Sequence, residues 1–164
     1  MALLARDASA ILGNGLDSDS AYLSGLLHDV GKPIIGSFLL EAEKMLTAGR
    51  HAEWISSGDW MKTVGECHRP IGVALVEKWQ MPKDIVNCVR DCTEYDPSNR
   101  LSISNVVRFV NALCKREGLY VGPVDAADVD ALVMIGRSLL GLNEEVVARL
   151  CENLKDRVRA HITG

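Results

Sequence analysis

Apolar residues recur at helical spacing along most of the chain, and polar or glycine-containing breaks separate the runs. Leu3, Leu4, Ala8, Ile11 and Leu12 form one face over 2–12, and Gly13-Asn14-Gly15 ends that run. A helix that starts almost at Met1 fits either a natural short start or a truncated N-terminus. Asp17-Ser18-Asp19-Ser20 offers N-caps for a second helix, whose apolar set is Tyr22, Leu23, Leu26 and Leu27. Pro33 suits the first position of a third helix with the stripe Ile34, Ile35, Phe38, Leu39, Ala42 and Leu46, closed by Gly49. His51, Trp54 and Ile55 predict a short helix within 50–58, followed by a capping break at Ser56-Ser57-Gly58-Asp59. Trp60, Val64, Cys67, Ile71, Ala74, Leu75 and Trp79 share the next face, with Trp79 as a core anchor and Pro70 expected to kink or restart the helix near Arg69.

Met81-Pro82 opens a helix with Ile85, Val86, Val89 and Cys92 inward, and Asp96-Pro97-Ser98-Asn99 reads as a turn. The strongest periodicity runs from Leu101 to Glu117, through Ile103, Val106, Val107, Val110, Leu113 and Cys114, with Gly118 as its C-terminal stop. Asp125 with Asp128 marks another helix start, a short helix over 131–139 ends at Gly141, and a last helix carries Val146, Val147, Leu150, Leu154, Val158 and Ile162. No repeat, low-complexity tract or linker interrupts the series. The pattern predicts an all-α fold, one compact domain over 1–164 built as a bundle of roughly seven to nine helices.

Composition agrees with that expectation. The chain has 164 residues, 48% of them hydrophobic and 24% charged, and only 5% are aromatic. These fractions suit a globular helical protein with a real core. A net charge of −4 supplies no basic footprint, so nucleic acid is not an expected partner. No apolar run approaches the roughly 20 residues of a membrane span, and the N-terminus lacks a signal-peptide layout. The expected location is the cytoplasm, without a membrane partner. The five cysteines are Cys67, Cys88, Cys92, Cys114 and Cys151. They read as reduced thiols packing as small apolar residues. A thiol or zinc role for Cys67, Cys88 and Cys92, joined by His68, is the alternative.

Candidate chemistry gathers at Gly25-Leu26-Leu27-His28-Asp29-Val30-Gly31-Lys32-Pro33. His and Asp are both metal ligands, but helix neighbours point about 100° apart. Both reach one ion only in a notch between helices. Gly31 allows the backbone to turn there, and Lys32 places a cation beside the pair. The alternatives are a buried histidine bonded to backbone, a capping aspartate, and a lysine that complements a helix C-terminus.

Four segments then align: Gly25-Leu26-Leu27-His28-Asp29 with Lys32 after it; Gly65-Glu-Cys-His68-Arg-Pro-Ile-Gly72; Trp79-Gln-Met-Pro82; and Val106-Val-Arg-Phe-Val-Asn111. Together they resemble the HDOD family, a branch of the HD superfamily, over about residues 3 to 150. The resemblance implies a helical bundle of HD type and a regulatory module in bacterial signal transduction, one that works through other signalling proteins or a small ligand. The wider superfamily consists of metal-dependent phosphohydrolases, and the alternative function is hydrolysis of a nucleotide or cyclic dinucleotide. On this pattern His28 and Asp29 match the central metal ligands, His68 is a further candidate, and Lys32 matches a phosphate-binding cation. The sequence departs from the superfamily at several points. No His precedes the dyad in 1–12, the position of the final ligand Asp is held by Asn111, and Asp91-Cys92 stands where a His-His pair is common. The expected outcome is an eroded site, with no cofactor and no confident catalytic residue.

Overall fold

The computed structural model describes residues 1–47, 55–120 and 124–162. Eight helices follow one another, and no strand occurs among the described residues. They are α1 (Ala2–Leu12), α2 (Ser18–Leu27), α3 (Gly31–Thr47), α4 (Ser57–Lys78), α5 (Lys83–Asp91), α6 (Ile103–Arg116), α7 (Ala126–Leu140) and α8 (Glu144–Ile162). The expectation of an all-α fold holds. The helix foreseen within 50–58 and the stop at Gly49 fall largely outside the described residues.

Capping chemistry sets the boundaries. The Asp17 carboxylate accepts from the backbone N–H groups of Asp19 and Ser20 at 3.3 and 3.0 Å, which fixes the start of α2. Ser56, Ser102 and Asp125 cap α4, α6 and α7 in the same way. Gly141, at φ 68°, provides the left-handed residue that ends α7.

Helix α6 forms the centre. Val106, Val107, Phe109, Val110 and Leu113 are all fully buried, and α1, α2, α5 and α7 pack around them. Asn105 is the buried polar exception on α6. Its side chain accepts from the Asp96 N–H at 2.9 Å and donates to the carbonyls of Asp96, Asn99 and Arg100 at 2.9, 3.0 and 3.1 Å. One amide therefore ties the 96–100 turn to the core.

Several apolar residues take other places than the periodicity suggests. The buried face of α2 consists of Ala21, Ser24 and Gly25, whereas Leu26 is 57% exposed. Small residues let the backbones of α1 and α2 approach, and a Cβ on Gly25 would stand 3.1 Å from Ala2 Cα. Only Ile35 and Leu39 of the α3 stripe are buried, leaving Ile34, Phe38 and Leu46 exposed, because α3 packs chiefly on α4. Trp79 is not a core anchor: it is 48% exposed at the C-cap of α4. Pro70 does not restart its helix, since α4 continues on both sides of it. Pro70 and Glu66 both face solvent, so the carbonyl deprived of a donor is open to water.

Candidate functional site

Two glycines build the corner. Helix α2 ends at His28, and a tight turn (Val30 N–H to Leu27 C=O, 2.9 Å, and Lys32 N–H to Asp29 C=O, 2.9 Å) leads into α3. The start of α3 then lies on the backbone of α4. A Cβ on Gly31 would overlap the His68 carbonyl, and one on Gly72 would stand 3.4 Å from Gly31 N. That backbone-on-backbone crossing sets His68 opposite Asp29 although 39 positions separate them in sequence.

The two histidines are clamped alike. His28 Nδ1 lies 3.0 Å from the Gly25 carbonyl oxygen, and His68 Nδ1 lies 2.9 and 2.8 Å from those of Val64 and Gly65. A carbonyl only accepts, so both Nδ1 atoms carry the hydrogen. Both Nε2 atoms then face Asp29, at 3.3 Å from Oδ2 for His28 and 3.5 Å from Oδ1 for His68. Two ring Nε2 atoms and a carboxylate thus meet in one place, and the carboxylate calls for a positive charge. Lys32 Nζ provides it by donating to Asp29 Oδ2. Burial raises the Asp29 pKa, but hydrogen bonds and charge from His28 and Lys32 outweigh it and hold the carboxyl well below the ordinary carboxylate range.

The donor types suit a divalent cation, and Nδ1–H bonds to carbonyls commonly orient metal-binding histidines. Their arrangement here does not fit one. Asp29 is engaged by Lys32, and among the described residues no group of three or more His, Cys, Asp or Glu is disposed to hold a metal ion. Asn111, the residue at the expected position of the last ligand, lies half-buried on α6, and its side chain makes no hydrogen bond among the described residues. The sequence-predicted residues His28, Asp29, Lys32 and His68 thus come together in direct contact. Asn111 stands on the facing helix, one turn before Lys115, whose charge interacts with those of Asp29 and Lys32.

Cys88 and Cys92 line the layer beneath. Arg69, next to His68, donates through Nη1 to the Val89 carbonyl at 2.7 Å and to Cys92 Sγ at 3.3 Å. A hydrogen bond from Cys88 and the Arg69 charge push the Cys92 thiol down, against burial. Arg108 donates through Nη1 to the Cys92 carbonyl at 3.1 Å. Cys67 is half-exposed, and all five cysteines are free.

Sequence reasoning missed Arg69, Arg108, Lys115 and Tyr120. Three of them were signalled in part: Ser104, Arg108, Asn111 and Lys115 recur at helical spacing within the otherwise apolar α6, forming a polar stripe along a buried helix, and Arg69 directly follows His68. Tyr120 left no such signal. Its ring centroid is 4.6 Å from Lys115 Nζ and 5.9 Å from Lys32 Nζ, an arrangement only tertiary structure creates.

The HDOD domain family model matches residues 1–95, which carry α1 to α5 and the whole His28–Asp29–His68 corner. Neither a curated protein nor a solved structure matches the chain. No helix among the described residues is long and apolar enough to cross a membrane.

Proposed function

The chain belongs to the HDOD domain family, and from that premise we propose that it is a non-catalytic regulatory module of bacterial signal transduction, acting in the cytoplasm. It binds a partner protein or a small ligand at the crevice around His28, Asp29 and His68, and hydrolyses nothing there. The observation that carries this reading is the Lys32 ammonium on the Asp29 carboxylate. A built-in cation already balances the charge that a phosphohydrolase assigns to its metal. Asn111 supports the same reading, because a neutral amide is a poor ligand for a divalent ion. A single domain over 1–164 completes it, with α6 facing the corner that α2 to α4 build.

The test is a hydrolysis screen of mono- and diphosphoesters, including nucleotides and cyclic dinucleotides, with Mn, Fe or Ni supplied. The module reading expects no turnover. Turnover that disappears in both His28→Ala and Asp29→Ala would overturn it. A second reading, metal-dependent phosphohydrolysis, is favoured by one observation: both Nε2 atoms converge on Asp29 with their Nδ1 atoms tied to carbonyls. The same screen decides between the two.

A further inference from the structure

The opposite wall of the crevice carries half-buried polar side chains with few partners in the protein. Arg108, Asn111 and Lys115 fall at i, i+3 and i+7 on α6, so they form one stripe. The Lys115 side chain is half-buried and makes no ion pair or hydrogen bond among the described residues; its ring contact is Tyr120, 4.6 Å away. The half-buried amide of Asn111 is equally uncommitted. Arg108 Nε is buried without an acceptor. The charges do not cancel either. Burial lowers the Lys115 pKa, Lys32 and Arg108 lower it further, and among the described residues Asp29 acts on it in the other direction. Asp29 is itself engaged by Lys32. Half-buried ammonium groups with little acidic charge beside them favour an anion. A chain of net charge −4 has concentrated cations here against its average.

We propose that Lys115 and Asn111 on α6, together with Lys32 across the Tyr120 ring, form a binding site for a phosphoryl dianion, either free phosphate or the phosphate of a monoester. This rests on the reading of the crevice as a ligand site, and it names the ligand's chemistry. A phosphoryl group offers several acceptor oxygens at once, which matches two ammonium groups and an amide NH₂ better than a single carboxylate does. Tyr120 spaces the two lysines by holding an ammonium from each, 4.6 and 5.9 Å from its centroid. Lys32 links the two halves, because its ammonium also engages Asp29. No metal takes part. Asn111, Lys115 and Tyr120 lie beyond the stretch matched by the family model, which ends at residue 95.

The experiment is an amide NMR titration of the ¹⁵N-labelled full chain with inorganic phosphate and, separately, a nucleoside monophosphate. Both run at constant ionic strength against chloride, with acetate as a monoanionic control. The proposal expects saturable shifts at 28–32 and 111–120 with one or both phosphates, and the tighter of the two identifies the source. Lys115→Gln should weaken binding at least tenfold, Lys115→Arg should restore most of it, and both should keep the wild-type amide spectrum elsewhere. Asn111→Ala, which removes no charge, should weaken binding several-fold. Wild-type affinity in Lys115→Gln overturns the proposal, as does a wild-type protein that shifts with neither phosphate. The two failures separate. Saturable shifts at the same amides with acetate alone refute the phosphoryl class and leave the crevice a ligand site, whereas no shift with any anion counts against the crevice as a small-ligand site as well.

Discussion

Replacing Gly31 with Ala tests the crossing that builds the corner. The added Cβ would fall on the His68 carbonyl oxygen, 2.7 Å from its carbonyl carbon and 2.9 Å from Gly72 N. All three are backbone atoms of α4, so no side chain can rotate away to make room. Relief requires the start of α3 to lift off α4, and with it the turn that carries Asp29 and Lys32. Overpacking of flexible cores costs about 1–3 kcal/mol, and a rigid backbone clash belongs at or above the top of that range. We therefore expect a loss of about 3 kcal/mol or more, from a total of about 5–15 kcal/mol. Gly65→Ala is the matched control: it sits exposed in the middle of α4, and nothing lies within 4 Å of its added Cβ. There the better helix propensity of Ala should stabilise by about 0.5–1 kcal/mol. Urea unfolding with unchanged m-values measures both. A Gly31→Ala protein within about 0.5 kcal/mol of wild type, or one that shifts in the same direction as Gly65→Ala, would refute the close crossing.

Three further outcomes follow from the same contacts. Asn105→Ala removes four hydrogen bonds at a fully buried position and strands the carbonyls of Asp96, Asn99 and Arg100, so it should cost about 3 kcal/mol; a loss below about 1 kcal/mol in urea unfolding would contradict its role as the tie to the 96–100 turn. Gly136→Ala places a Cβ on the Tyr95 hydroxyl and 2.9 Å from Phe109 Cδ2, and should cost about 2 kcal/mol while breaking the 2.8 Å bond from Tyr95 to the Leu132 carbonyl; an unchanged melting temperature would speak against it. Asp29, held below the ordinary carboxylate range, contributes stability that is complete above about pH 4 and is lost as the pH falls below it. The melting-temperature gap between wild type and Asp29→Asn should accordingly be widest near neutral pH and narrow under acid, and a gap that widens on acidification would have the wrong sign.

Local chemistry was readable from the sequence, and tertiary approach was not. The ends of α1 and α6 and the start of α5 fall within two residues of where capping and turn residues placed them, because a cap acts within one turn of its own helix. His28, Asp29 and Lys32 were found because they are contiguous, and His68 because its motif stood out. The exposed Ile34, Phe38 and Leu46 show the limit of periodicity: it marks an apolar face without saying whether anything covers it. Gly31 reads in the sequence as a turn glycine, but what requires it is the close crossing of α3 on α4 at His68 and Gly72. Tyr120 and Lys115 meet Lys32 only through the packing of α6 against the corner, and no spacing rule links positions so far apart.

The central claim is that Lys32 takes the place of a metal at the family's signature corner. Calorimetric titration of Mn²⁺ into the wild-type protein and into Asp29→Asn tests it most directly. The account predicts no stoichiometric uptake by wild type and no difference between the two proteins. Binding of one or two ions per wild-type chain, lost in Asp29→Asn, would contradict it.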